Sequence, residues 1–207
     1  MRTALVAVAL GLALAAPTAS ASARSTPVLT VDDPKGDVHL NRLPGLSTAD
    51  RRSVDLTRLA VTDRGDSVRF TVKLLRVNRS PRLTQIFLFD IASDELPYSQ
   101  LVVATHSLSI PPRRDDLEHV MAIENADAPQ GFVSCRRLPV SLPNGARTFW
   151  VEVPKRCLPS GQVRLRVYAQ TVPGPADDPA VLRQYSHDSL RVAGRFDLGG
   201  TVHGAPT

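Results

Sequence analysis

The sequence predicts an all-β protein, an antiparallel β-sandwich of jelly-roll or immunoglobulin-like kind with about 8–10 strands and one disulfide. Apolar and polar residues alternate with a period of two along most of the chain, which is typical of strands with one buried face. The 17 prolines leave little room for long helices. Clusters of Pro, Gly, Asn and Asp separate the short apolar segments and predict turns between them.

The beginning of the chain predicts a secretory signal peptide at residues 1–23. Arg2 precedes an apolar run of about 13 residues, and Pro17 and several small residues follow it. The run is shorter than the ~20 residues of a membrane-spanning helix, so we expect cleavage, after Ala21 or after Ala23, and not an uncleaved anchor. We therefore expect a secreted protein without a transmembrane segment, with a single β domain at residues 24–193 and a flexible glycine-containing tail at residues 194–207.

The strands can be assigned in order from the alternation. The clearest is at residues 67–77, where Val68, Phe70 and Val72 alternate with polar residues. Residues 54–62 form the preceding strand, and the polar turn at residues 63–66 predicts a β-hairpin between the two. Further strands are predicted at residues 28–31, 83–92, 100–109, 119–124, 131–141, 148–153, 162–171 and 182–192.

The two cysteines, Cys135 and Cys157, predict a structural disulfide, because an even cysteine count in an exported chain favours pairing. The redox alternative lacks a C-x-x-C pair. A two-residue hairpin turn at Asn144-Gly145 would place Cys135 opposite Pro154, with Cys157 just beyond the strand end. We therefore expect the bridge at the base of this hairpin.

The charge of the chain does not predict nucleic-acid binding. The formal net charge is +5 and the pI is about 9.8, but the arginines are spread along the sequence and are not gathered on one segment. Aromatic residues make up 5% of the chain, too few for a platform on which single strands stack. We expect solvated arginines and no nucleic-acid partner.

The most unusual polar run lies at residues 31–38, where three carboxylates surround a glycine turn. A fourth carboxylate begins the next strand. Closely spaced carboxylates can present several oxygen ligands to Ca²⁺, the one candidate cofactor. The candidate metal ligands are Asp32, Asp33, Asp37 and Asp55. Asp188 on the last strand is a further neighbour if the first and last strands are close. The alternative is ordinary turn chemistry, in which aspartates accept bonds from nearby backbone N–H groups.

No catalytic residue is predicted. The chain has no G-x-S-x-G, H-E-x-x-H or phosphate-binding glycine motif. His187 and Asp188 are neighbours on one predicted strand and so point to opposite faces. We therefore expect a non-enzymatic protein. The alternative is a secreted hydrolase whose Asp and His residues are distant in sequence, which convergence of Asp90 or Asp188 with a histidine in a pocket would favour.

Three motifs resemble those of uncharacterised secreted β-sandwich proteins of high-GC Gram-positive bacteria. They are the D-D-P-x-G-D loop at residues 32–37, Asp55-Leu56 at the start of a hairpin, and V-P-x-x-C-L at residues 153–158. Such proteins are similar to the sandwiches of carbohydrate-binding and DOMON-like modules. The resemblance implies a binding or structural module at the cell envelope, with a cell-wall polymer or an envelope protein as partner. Trp150, the only tryptophan, is predicted to pack near the disulfide and not to form a sugar platform.

Overall fold

The fold is seen in a computed structural model that describes residues 26–40, 45–96, 98–105, 119–125, 128–174 and 185–200. The predicted signal peptide lies outside these residues. The strands of the described part, in chain order, are β1 (Thr26–Asp32), β2 (Leu56–Asp63), β3 (Ser67–Leu74), β4 (Leu83–Ala92), β5 (Tyr98–Ala104), β6 (His119–Asn125), β7 (Ala128–Cys135), β8 (Val140–Ser141), β9 (Thr148–Pro154), β10 (Gln162–Pro173), β11 (Ser186–Arg191) and β12 (Phe196–Asp197).

These strands form two antiparallel sheets that pack face to face, so the predicted all-β sandwich is confirmed. The five-stranded sheet has the order β1-β2-β3-β9-β8. The seven-stranded sheet has the order β11-β10-β4-β5-β6-β7, and β12 pairs with β10. The predicted hairpin of β2 and β3 is also confirmed, with Leu59 opposite Val72 and Val61 opposite Phe70.

The core lies between the two sheets because each strand turns its apolar alternate residues inward. Phe70 from the five-stranded sheet and Phe89 from the seven-stranded sheet are fully buried, with ring centroids 5.4 Å apart. Phe149 and Phe87 form a second such pair at 4.3 Å. Each buried phenylalanine contributes about 1.5–3 kcal/mol of transfer free energy, so these pairs hold the sheets together.

Helical structure is short in the described part of the chain. Helix α1 (Thr48–Arg52) begins at Ser47, whose side chain accepts from the Asp50 N–H while the Asp50 carboxylate accepts from the Ser47 N–H. A 3₁₀ turn follows β9 at Lys155–Cys157. Among these helices, none has the length and the apolar composition to cross a membrane.

The predicted strand at residues 131–141 is wrong as a single element, because it divides between the two sheets. The seven-stranded sheet ends with β7 at Cys135, and Arg137 then adopts a left-handed conformation with φ of 53°. After this turn β8 joins the five-stranded sheet. Arg136 and Arg137 are both exposed, so the side-chain alternation is interrupted at the break.

The disulfide between Cys135 and Cys157 is confirmed, and it closes the base of the segment that contains the β8–β9 hairpin. The hairpin register differs from the expected one by two positions: Val140 pairs with Val151 and Ser141 with Trp150. The Asn144-Gly145 turn forms, and the Gly145 N–H donates to the carbonyl of Val77, in the loop after β3, at 2.8 Å.

The bridge therefore connects the two sheets. Cys135 ends β7 of the seven-stranded sheet, whereas Cys157 lies in the 3₁₀ turn after β9 of the five-stranded sheet. The two Cα atoms are 5.9 Å apart.

The predicted flexible tail does not begin at residue 194. Phe196 and Asp197 form β12 opposite Val163 and Gln162 of β10. Leu198 is 2% exposed and belongs to the main core. An isolated leucine among glycines gave no alternation from which this strand could be predicted.

Candidate functional site

The acidic loop that follows β1 is held at both of its ends by backbone hydrogen bonds. At its start, the Asp33 N–H donates to the Thr57 carbonyl of β2 at 3.1 Å. At its end, His39 and His187 exchange two bonds, of 2.8 and 3.1 Å. The loop therefore lies between β2 of one sheet and β11 of the other.

This placement brings three carboxylates together. One oxygen each from Asp33, Asp37 and Asp188 lies within 4.8 Å of the other two. Asp188 comes from β11, on the inward register between Ser186 and Leu190, and it is 4% exposed. An acidic residue on the core-facing side of a strand is rare without a partner.

Backbone donors fix the orientation of the Asp188 carboxylate. Its Oδ2 accepts from the Leu56 N–H at 2.7 Å, and its Oδ1 accepts from the Ser189 N–H at 2.7 Å. A carboxylate oxygen has two lone-pair sites, so each oxygen can still bind a cation. The group is therefore positioned before any ligand arrives.

Asp55 is next to the cluster and is 7% exposed. Its Oδ2 accepts from the Gly36 N–H at 2.9 Å, and Gly36 has a φ of 88°, a left-handed conformation that glycine adopts without strain. Its Oδ1 is buried and has no hydrogen-bond partner within the described residues, as is also true of Oδ2 of Asp33. Two buried acceptors in one acidic cluster are thus left without a donor.

The electrostatics of the cluster disfavour ionisation. Burial first, and then the charges of Asp188, Asp37 and Asp55, together raise the pKa of Asp33 to about 7. Burial also raises the pKa of Asp55 and of Asp188, and Asp37 adds to both effects. Hydrogen bonds from the Gly36 and Leu56 N–H groups oppose these increases but do not reverse them. A cation at this position would remove the repulsion.

Asp32, a predicted ligand, lies outside this cluster. Its carboxylate accepts from Arg58 Nε at 2.5 Å, and the two side chains are exposed. This bond lowers the pKa of Asp32 below its ordinary value. Asp32 is the last residue of β1 and directly opposite Arg58 of β2, so its side chain points to the outer face of the sheet while Asp33 turns inward.

The histidine that neighbours Asp188 packs against other rings. The His39 and His187 rings are 5.0 Å apart, and Tyr185 contacts His187 edge-on at 5.5 Å. Burial first, and then the nearby His39 ring, lower the pKa of His187. As the sequence predicts, His187 and Asp188 lie on opposite faces of β11, so no hydrogen bond joins their side chains.

Asp90 and His187 line one shallow depression of about 330 Å³ on the outer face of the seven-stranded sheet. The register separates them: Asp90 pairs with Arg166 and His187 pairs with Gln170, four residues further along β10. That offset is about 13 Å along the strand. The Asp90 carboxylate accepts from Gln100 instead, at 3.0 Å. Asp90 and His187 are therefore not placed for direct proton transfer between their side chains.

Trp150 does not pack inward. It lies on the outer face of the five-stranded sheet, where the Arg69 guanidinium stacks over its ring at 4.1 Å, and the inward position beside it belongs to Phe149. Glu152 accepts from Arg69 at 2.7 Å and holds the guanidinium in place. The Arg69 guanidinium therefore covers one face of the Trp150 ring.

Fold and site together define an antiparallel β-sandwich with a carboxylate cluster where the N-terminal loop meets the C-terminal strands. Comparisons with protein-family models, curated proteins and solved structures found no match to this chain. The resemblance to secreted envelope proteins therefore stays a prediction.

Proposed function

We propose that the protein is an exported, non-enzymatic β-sandwich that binds Ca²⁺ between Asp33, Asp37 and Asp188 and serves as a binding or structural module at the cell envelope. The observation that carries this proposal is the convergence of three carboxylate oxygens within 4.8 Å of one another. Two oxygens bound to the same Ca²⁺, each at about 2.3–2.6 Å from it, are at most about 5 Å apart. The cluster satisfies this limit.

The unpaired oxygens strengthen the case for a cation. Oδ1 of Asp55 and Oδ2 of Asp33 are buried without a donor, and an unpaired buried acceptor is costly. Ca²⁺ accepts six to eight oxygen ligands, so the three clustered carboxylates and water can share one ion, while the charge of Asp55 acts on Asp33 and Asp188 from beside it. Turn chemistry alone accounts for the Gly36–Asp55 bond but not for these two oxygens.

The chemistry of the donors favours Ca²⁺ over other metals. The clustered groups are carboxylates, whereas Zn²⁺ prefers imidazole and thiolate ligands. Mg²⁺ requires a near-octahedral shell at about 2.0–2.1 Å and usually keeps several waters. A loop and two strands that converge from separate parts of the chain fit the larger and more tolerant ion.

Two observations support export. The first is the signal sequence predicted at residues 1–23, and the second is the disulfide, because such bonds persist in oxidising compartments. Detection of the protein outside the cell, with a mature N-terminus at residue 22 or residue 24, would test this part of the proposal.

Calorimetric titration and thermal unfolding test the metal site. We expect heat of binding with Ca²⁺, weaker binding with Mg²⁺, and a melting temperature that falls when a chelator is added.

A variant and a matched control test the residues of the site. Asp37→Asn should abolish Ca²⁺ binding, and because Asp37 is exposed, we expect this variant to fold. Asp32→Asn is the matched control: it removes a neighbouring carboxylate that bonds to Arg58 and should leave Ca²⁺ binding intact. Absence of heat with Ca²⁺, together with an unchanged melting temperature in chelator, would contradict the proposal.

A further inference from the structure

A basic pocket with a volume of about 450 Å³ lies directly beside the acidic cluster. Backbone bonds at the end of the five-stranded sheet form its floor: the Leu75 N–H donates to the Asp55 carbonyl and the Leu74 N–H donates to the Arg147 carbonyl, each at 2.9 Å. Gly36 and Asp55 belong both to the pocket wall and to the acidic loop. The two sites therefore share one wall.

Four basic residues line this pocket, together with the acidic Asp55. They are Lys35, Arg52, Lys73 and Arg147. In the described part of the chain, no carboxylate oxygen lies within 4.0 Å of a side-chain nitrogen of these four residues. Other surface arginines do form ion pairs, for example Arg58 with Asp32 and Arg195 with Asp94. Like charges that face one cavity repel one another and create a positive potential in it. Such an arrangement suits an anion.

The other lining groups restrict the chemistry of that anion. Thr57 supplies a hydroxyl group, and Leu74 and Leu75 supply apolar surface, with Leu75 44% exposed. None of the described residues that line the pocket is aromatic, so they offer a nucleobase no ring on which to stack. The volume lies within the ~300–1,000 Å³ of small-molecule sites. A sugar ring with an acidic substituent offers the hydroxyl groups, the apolar face and the charge that this lining complements.

We infer that the basic pocket binds the acidic group, a carboxylate or a phosphate, of an envelope saccharide, and that Ca²⁺ in the adjacent cluster promotes this binding. The inference rests on the proposed function, since it requires that the cluster take up Ca²⁺. It adds a ligand class and a regulatory role to that site.

The coupling is electrostatic and conformational. Without a metal, ionised carboxylates beside the pocket repel an incoming anion. They also attract the basic side chains of the pocket toward the acidic cluster. The charges of Lys35 and Arg52 act on Asp55, where they lower its pKa against the larger effect of burial. Bound Ca²⁺ would neutralise two of the carboxylate charges and fix Lys35 and Gly36 between two ligand residues. By linkage, the acidic saccharide must then tighten Ca²⁺ binding by the same factor.

The first experiment is calorimetric titration of the purified protein with three probes, glucuronate, glucose 6-phosphate and glucose, at constant free Ca²⁺ and again in chelator. We expect binding of at least one acidic probe with Ca²⁺, about tenfold weaker or lost in chelator, and no binding of glucose. The inference is overturned if neither acidic probe binds, if glucose binds as well as they do, or if Ca²⁺ has no effect on the affinity. Competition by an oligoglutamate peptide with equal affinity would show that the pocket recognises acidic peptides, which would also overturn it.

The second experiment uses charge-matched variants. Arg52→Gln with Arg147→Gln should weaken the acidic probe about tenfold or more without weakening Ca²⁺ binding, because the loss of a positive charge beside Asp55 favours a bound cation. Arg164→Gln with Arg191→Gln is the control, because it removes the same charge from exposed residues that line a separate depression on β10 and β11 of the other sheet. Equal losses in both double variants would show a nonspecific charge effect and contradict the pocket. A Ca²⁺ titration without sugar separates the two proposals: normal Ca²⁺ binding without probe binding contradicts the pocket alone.

Discussion

Asp32 and Asp33 are adjacent in the chain, but their carboxyl groups have opposite electrostatic environments. Asp32 bonds to Arg58 at the exposed sheet edge, and its pKa is lowered. Asp33 turns into the acidic cluster, where burial and three neighbouring carboxylates raise its pKa to about 7. The sequence identifies both as candidate ligands because turn residues show no alternation that would separate inward from outward side chains.

Metal-free stability should depend on pH through Asp33. Its pKa is about 7 in the folded state, against an ordinary value of 3.8, so the folded state holds more protons than the unfolded state between these values. The contribution of Asp33 to stability is therefore full below about pH 4 and is lost as the pH rises through about 7. His187, whose pKa is lowered, acts in the opposite direction. The useful quantity is thus the difference between wild type and Asp33→Asn.

We expect Asp33→Asn to melt at about the wild-type temperature near pH 4 and at a higher temperature near pH 8, when both proteins are freed of metal. Differential scanning calorimetry in metal-free buffer measures this directly. Asp32→Asn, which removes a carboxyl with a lowered pKa, should show no such gain. If the melting temperature of the wild type increased relative to that of Asp33→Asn as the pH rises, the assignment of a raised pKa to Asp33 would be contradicted.

Asp188 shows which features of a single site residue can be predicted from the sequence and which cannot. Its position on the inward register between Ser186 and Leu190 is a local signal of an unusual buried acid. Its partners, however, are Asp33, Asp37 and the Leu56 N–H, which lies 132 residues away. Only the order of strands in the two sheets brings these groups together, and side-chain alternation does not encode that order.

At the scale of single elements, β12 differs most from the sequence expectation. A two-residue strand after several polar and glycine residues has no periodic signal, yet Leu198 beyond it fills part of the core. The β8–β9 hairpin is a similar case. Its turn residues are evident in the sequence, but its register depends on bonds to Val77 in a different loop.

Leu198→Ala should lower the free energy of unfolding by about 2–5 kcal/mol, because it removes a buried leucine and leaves a cavity. Urea unfolding followed by circular dichroism measures the change. Arg195→Gln in the same segment is the control, since its exposed bridge to Asp94 contributes at most about 1 kcal/mol. A loss for Leu198→Ala as small as that of the control would show that this segment is not part of the core.

At the scale of the whole molecule, the disulfide and the aromatic pairs join the two sheets at different places. The sequence is sufficient to pair Cys135 with Cys157, since there are no other cysteines. It is not sufficient to show that the bridge crosses between sheets, because this depends on the break at Arg137. The basic pocket is also a property of the whole fold: its four cations are far apart in the sequence and form no motif.

Replacing both cysteines by serine should destabilise the protein by roughly 3 kcal/mol, which is the chain-entropy estimate for a closed loop of this size; the two cysteines are 22 residues apart. Urea unfolding measures the change, and the two sheets should remain associated through their core. Reductant should shift the midpoint of the wild type toward that of the double variant and leave the variant itself unaffected. A variant with the wild-type midpoint would show that the bridge makes no contribution.

The backbone bridge between His39 and His187 has a consequence for the order in which the molecule matures. In the export that we propose, the chain would emerge from its N-terminus, so Asp33 and Asp37 would be outside the cell before Asp188. The cation site cannot close until β11 has docked against the loop, and a truncated or half-emerged chain has no complete site. Ca²⁺ would therefore bind only after β11 has docked. Only full-length chains would gain protease resistance from Ca²⁺ binding.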